Sequence, residues 1–141
     1  MRHLALDVGD ERIGVAISDP DGVLARPLEV IPRRAGPSSF LRLADIIAEN
    51  HVEVIVVGLP LREDGTEGKQ VESTRAYVRG LVKYVDIPIV YWDERYSTNR
   101  ATEIMIESGR KRQRRKEMVD AVAAAVILQE YLDNKAGGPQ L

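Results

Sequence analysis

The run His3-Leu4-Ala5-Leu6-Asp7-Val8-Gly9 constrains this chain most. Leu4, Ala5, Leu6 and Val8 form a nearly unbroken apolar stretch, the pattern of a β-strand buried on both faces. Asp7 interrupts it. An ionised carboxylate there is costly unless a metal, a cation or several hydrogen bonds offset its desolvation. Gly9 marks a bend or a close backbone approach. Taken alone, Asp7 reads as an ordinary turn residue at a strand end. Two later segments, interrupted in the same way, argue otherwise.

The rest of the chain supplies the frame. Ile13, Val15 and Ile17 alternate with Gly14 and Ala16, which predicts a strand over 12–18. Asp19-Pro20-Asp21-Gly22 is a turn by composition, and a third strand follows over 23–31. Pro27 suits an edge strand. A helix then begins near Gly36-Pro37, capped by Ser38 or Ser39, with Phe40, Leu43, Ala44 and Ile47 on one face. Val54 to Val57 is a short apolar strand ending at Gly58, and a Gly/Pro/acid-rich loop extends to Gly68. Val71, Thr74, Val78, Leu81, Val82 and Val85 stripe a second helix, and Ile89 to Trp92 make a fifth strand. Ser97 or Thr98 caps a third helix that Gly109 stops, and a last helix is expected from about Lys116 to Asp133.

This order predicts an α/β fold. Three antiparallel strands are followed by two parallel ones in a five-stranded mixed sheet flanked by helices, with the first strand at its centre. At 141 residues, one domain is expected over 1–134, with 135–141 as a frayed tail. In such sheets, sites form at the carboxyl ends of the parallel strands.

The second interruption is Trp92-Asp93-Glu94-Arg95, directly after the fifth strand, so its acids emerge on the same edge as Asp7. The third is Asp120, inside the apolar helix Met118 to Leu128, on a face with Ala123, Ala124 and Ile127. Favourable interaction with the dipole of that helix's N-terminus is the competing reason for an acid at Asp120. Carboxylates converging on one point repel each other and raise their own pKa values unless cations bind. With no Cys and only two His in the chain, the metal would be held by oxygen, which points to Mg²⁺ or Mn²⁺. A pair of such ions on a carboxylate cluster is the apparatus of in-line displacement at phosphorus.

Charge distribution points the same way. Arg110, Lys111, Arg112, Arg114, Arg115 and Lys116 are six of the 20 basic residues. The other 134 positions hold 14 basic and 22 acidic residues. One dense cationic segment in an otherwise acidic chain suggests a localised polyanion contact, expected to lie in a loop just ahead of the Asp120 helix. Arg95 is a further candidate phosphate contact. No apolar run reaches membrane-spanning length, and a cytoplasmic location is expected.

Six segments taken together carry a resemblance. They are Asp7-Val8-Gly9 with Ile13 to Asp19; Val57-Gly58-Leu59-Pro60-Leu61 with Asp64 to Glu67; Asp93-Glu94-Arg95-Tyr96-Ser97-Thr98; and Val119-Asp120-Ala121-Val122-Ala123-Ala124. In this order, over nearly the whole chain, they closely resemble the YqgF (RuvX) family of bacterial RNase H-like nucleases. The resemblance implies an RNase H-like fold and a metal-dependent endonuclease that matures the 5′ end of pre-16S rRNA. By position it implies Asp7, Glu94 and Asp120 as catalytic, metal-holding residues, with Asp93 supporting the site or ligating metal itself. Relatives often carry a hydroxyl and basic residues where this chain has Asp10 and Glu11, which bears on substrate contact by that hairpin.

Three other readings compete. A branched-DNA resolvase, the older family description, needs two sites related by a two-fold axis. A nucleic-acid-binding assembly factor would not cut. A phosphotransferase of the actin/hexokinase class shares the Asp-x-Gly opening but needs two such domains around a nucleotide. Structured RNA is the expected partner, with the protein acting as a monomer or weak homodimer.

Overall fold

A computed structural model describes residues 1–94 and 112–134, with side chains in the last stretch from Met118 onward. The strands are β1 (His3–Val8), β2 (Arg12–Ser18), β3 (Ala25–Pro32), β4 (Val54–Leu59) and β5 (Ile89–Asp93). The described helices are α1 (Ser38–Asn50), α2 (Lys69–Leu81) and α3 (Arg112–Asn134). The sheet order is β3-β2-β1-β4-β5, which puts β1 at the centre. β1–β2 and β2–β3 are antiparallel. β1–β4 and β4–β5 are parallel. This is the mixed sheet that the sequence predicts.

On β1 and β2, strand alternation puts larger side chains on one face and smaller ones on the other. Leu4, Leu6, Val8, Ile13, Val15, Ile17, Ile55 and Val57 point one way and pack with Leu43 and Ile46 of α1 and Tyr77, Val78 and Leu81 of α2. The opposite face is built from smaller residues, Ala5, Ala16 and Val56, and receives Ala124, Ala125, Ile127 and Leu128 of α3. Asp7 and Gly14 lie on this second face, paired with each other across β1 and β2. Gly14 touches the α3 backbone at the Asp120 carbonyl so closely that a Cβ would overlap it. The small-residue face therefore brings α3, and with it Asp120, down onto the end of β1.

Several boundaries differ from expectation. β3 starts at Ala25, because the Asp19 carboxylate accepts hydrogen bonds from the Val23 and Leu24 amides at 2.7 and 3.0 Å and holds them in the turn. A register shift between Val15 and Ala16 accommodates Pro27 on this edge strand. Pro37, and neither serine, occupies the N-cap of α1. Ser39 is buried instead and accepts a 2.8 Å hydrogen bond from the Tyr77 hydroxyl. α2 stops at Leu81, the chain turns over the next residues, and Val82 is exposed.

The last helix begins at Arg112, earlier than Lys116. Arg112, Arg114, Arg115 and Lys116 thus belong to its opening turns and not to a preceding loop. Arg and Lys are good helix formers, so a cationic run can extend a helix as readily as interrupt it. The expected helix between Ser97 and Gly109 and the expected tail 135–141 lie outside the described residues. Among the described residues, no helix is long and apolar enough to cross a membrane.

Candidate active site

The site lies where β1, β4 and β5 reach their carboxyl ends. Asp7 is the penultimate residue of β1 and projects toward α3. β5 ends at Asp93. The Glu94 amide adds one more hydrogen bond to the Leu59 carbonyl at 3.3 Å, which continues the β4–β5 pairing and directs the Glu94 side chain inward. Gly58 makes room for it: a Cβ there would stand 2.5 Å from Glu94 Oε2 and 2.6 Å from Ile127 Cδ1. Two strand glycines, Gly14 and Gly58, thus admit Asp120 and Glu94 to the position of Asp7.

Asp7 and Glu94 share a hydrogen bond between their carboxyl groups. Two carboxylates can do so only when one is protonated. Burial pushes Asp7 up to about 6, opposed by the hydrogen bond from Glu94 and assisted by the charge of Asp120. Burial pushes Glu94 up to about 8, assisted by the charge and hydrogen bond of Asp7 and by the charge of Asp93. Burial and mutual repulsion push both groups up, so the pair as a unit holds on to a proton well above the usual carboxylate range.

Asp120 is the ninth residue of α3, beyond the first turn where the helix dipole favours a carboxylate. The dipole does not account for it. Its Oδ2 accepts a 2.9 Å hydrogen bond from Arg12 Nε, across 108 positions of sequence. Asp7 and Glu94 are thus in direct contact, and Asp120 acts on Asp7 through charge while its carboxylate turns to Arg12. Among the described residues, no three acidic or histidine side chains are drawn into a ready metal cluster. The donor chemistry nevertheless fits a hard cation: all the candidate ligands are carboxylate oxygens, and two of them touch while partly buried.

A second set of contacts steadies the β1–β2 turn. The Gly9 amide donates to the Arg12 carbonyl at 2.8 Å, too tight for a Cβ at Gly9. Arg33 Nη1 donates to the Gly9 carbonyl at 3.0 Å and to Ser73 Oγ at 2.9 Å, and Nη2 donates to the Ser73 carbonyl at 3.1 Å. The same guanidinium lies 5.1 Å over the Tyr77 ring. Asp10 accepts from Gln70 Nε2 at 3.1 Å and Ser73 Oγ at 3.0 Å. Asp10 therefore ties the turn to α2.

Arg12 and Arg33 are site-supporting residues that sequence reasoning missed, since their partners are remote in the chain. The glycines did leave a signal, as gaps in two otherwise apolar strands. Of the candidate phosphate contacts, Arg95, Arg110 and Lys111 lie outside the described residues. Arg112, Arg114, Arg115 and Lys116 open α3, and their side chains lie outside the described ones.

Known proteins resemble this chain over most of its length. Two bacterial proteins named "Putative pre-16S rRNA nuclease" align over most of the chain. The one from Desulforamulus reducens is 48% identical over 136 residues, covering 96% of this chain and 99% of its own length. The one from Ruegeria sp. is 45% identical over 130 residues, covering 92% and 83%. Among solved structures, T. thermophilus RuvC in complex with a Holliday junction substrate matches with a TM-score of 0.63 at 14% identity, over 100% of this chain and 99% of that one. At that identity the likeness is one of fold, the RNase H-like fold of the resolvases. A family model described as "RuvX: Holliday junction resolvase" matches residues 1–134, and the chain belongs to the RuvX/YqgF family.

Proposed function

We propose that this protein is a divalent-metal-dependent endonuclease that hydrolyses phosphodiester bonds in structured RNA, maturing the 5′ end of pre-16S rRNA. The partly buried Asp7–Glu94 pair beside Asp120 carries this reading. Two touching, partly buried carboxylates do not serve stability, since the arrangement costs desolvation and repulsion. It does concentrate them where a cation will bind. The names of the close relatives supply the substrate class.

On this reading Asp7, Glu94 and Asp120 hold Mg²⁺ or Mn²⁺, two ions in all, with Asp93 next to Glu94 as a supporting carboxylate. Bound ions of this kind lower the pKa of an attacking water and stabilise the leaving oxygen. The protein's own part is to set the ligands. The Asp7–Glu94 pair would release its shared proton to hold a cation, the β1 pairing fixes Asp7, and α3 carries Asp120 against Gly14. Arg95 and the basic residues at 110–116 bind the flanking phosphates. The protein acts as a monomer or weak homodimer.

The test is cleavage by wild type and Asp7→Asn, with Mg²⁺ or Mn²⁺, of three substrates: precursor rRNA ends, unstructured RNA and four-way DNA junctions. Metal-dependent cutting of the precursor ends by wild type alone is expected. Preferential, symmetric cutting of the junction would establish a branched-DNA resolvase instead. Specific binding without cutting would leave an assembly factor. Undiminished cleavage by Asp7→Asn would refute the assignment of the site.

A further inference from the structure

Arg12 is hydrogen-bonded to Asp120, and among the described residues its geometry leaves half of it unused. It opens β2 immediately after the turn that follows Asp7. Nε donates to Asp120 Oδ2 at 2.9 Å. Nη1 makes only a long 3.4 Å contact with Glu11 Oε2, whose side chain is 84% exposed. Nη2 has no hydrogen-bond partner among the described residues. The Arg12 side chain is 56% exposed, so the unused part of the guanidinium is open to solvent beside Asp120.

As a tie between β2 and α3 this pair is weak, because solvent-exposed ion pairs contribute little to stability. The apolar contacts of Ala124, Ile127 and Leu128 already hold α3 on the sheet. An edge crowded with Asp7, Glu94, Asp120 and Glu11 would, however, repel a polyanion. A guanidinium is suited to relieve that repulsion, since its planar fork matches phosphate oxygens.

We propose that Arg12 is a phosphate-binding residue of the active site, anchored through Nε on Asp120 and presenting Nη1 and Nη2 to a backbone phosphate of the substrate beside the scissile bond. This rests on the nuclease reading of the site. It assigns substrate contact to the β1–β2 hairpin in a chain whose Asp10 and Glu11 would otherwise oppose it. Anchoring by one carboxylate fixes the fork's direction, so a bound phosphate is placed relative to Asp120 and not merely attracted.

The test measures binding separately from cleavage. In EDTA, with Asp7→Asn as parent, a fluorescein-labelled RNA hairpin with a single-stranded 5′ extension is titrated by anisotropy across a KCl series. Adding Arg12→Gln should weaken binding about five- to tenfold and reduce the slope of log K against log salt by roughly 0.7–0.9, the loss of one phosphate contact. Arg12→Lys should restore the slope but only part of the affinity, because an ammonium lacks the fork. Melting temperatures within a few degrees of the parent show that folding is not the cause. Unchanged affinity and slope for Arg12→Gln would overturn the inference. Cleavage assays of Asp7→Asn judge the nuclease reading separately, so the two failures are distinguishable.

Discussion

Gly14 of β2 lies against the main-chain carbonyl of Asp120, with no room between them for a methyl group. The contact joins backbone to backbone, so a side-chain rotation cannot relieve it. Gly14→Ala must therefore push α3 off the sheet or bend β2. We expect it to destabilise the protein by about 2 kcal/mol, within the range for overpacking a tight core, and to lower activity by displacing Asp120. Urea unfolding and cleavage rate, measured on the same preparation, check both effects.

Gly58→Ala provides the contrast. Its new methyl would meet the ends of two side chains, Glu94 Oε2 at 2.5 Å and Ile127 Cδ1 at 2.6 Å, and not main chain. Those ends can shift, so stability should fall less than for Gly14→Ala. Glu94, however, would leave its hydrogen bond with Asp7. The expected outcome is a near-native melting temperature with cleavage reduced at least tenfold. A Gly58→Ala enzyme with wild-type rate would show that the position of Glu94 does not matter.

These two glycines mark the limit of what the sequence could disclose. Alternation of Leu4, Leu6 and Val8 with Ala5 and Asp7 made the strand and its two faces legible, and the order of elements made the sheet legible. That Asp7 and Glu94 meet followed from placing both at the same edge. What a glycine is for depends on what approaches it, and Gly14 answers to a helix more than 100 positions away. Arg12 and Asp120 were invisible as a pair for the same reason. Ser39 has the composition of an N-cap, but the buried Tyr77 hydroxyl claims it. The start of α3 was misplaced because a charge run is compatible with both loop and helix.

The carboxyl pair makes stability depend on pH in a definite direction. Asp7 and Glu94 titrate higher in the folded protein than in the unfolded chain, so the native state retains protons that the unfolded state has released. Stability therefore falls as pH rises, between 3.8 and about 6 through Asp7 and between 4.5 and about 8 through Glu94. Asp19 and Asp64 act oppositely, held low by hydrogen bonds, and favour folding above their unfolded value of 3.8. In EDTA the denaturation midpoint should drop between pH 5 and 8. Glu94→Gln should flatten most of that drop, and Mn²⁺ should restore stability at pH 8 in wild type but not in Asp7→Asn. A midpoint that rises steadily over this range would contradict the buried pair.

Arg33 is expected to act on the site through the turn after Asp7. Its three hydrogen bonds link Gly9 to Ser73, and its ring contact adds Tyr77. Arg33→Ala should cost about 2 kcal/mol, typical of losing partly buried charge-assisted hydrogen bonds, and should lower kcat more than it raises KM. Asp10→Asn keeps an acceptor for Gln70 and Ser73 and should be nearly silent. Equal loss in both variants would assign the anchoring to Asp10 instead.

The basic residues at the start of α3 lead to a prediction about range. If Arg114, Arg115 and Lys116 contact flanking phosphates, they contribute to affinity through counterion release and not through placement of the scissile bond. Replacing all three with Gln should weaken RNA binding by one to two orders of magnitude at about 0.1 M salt and reduce the salt slope by roughly two to three. The cleavage rate at saturating substrate should stay close to wild type. Binding curves across a KCl series together with single-turnover kinetics separate the two effects. Intact affinity and slope would make the segment a bystander, whereas a lost single-turnover rate with intact binding would place it inside the reaction.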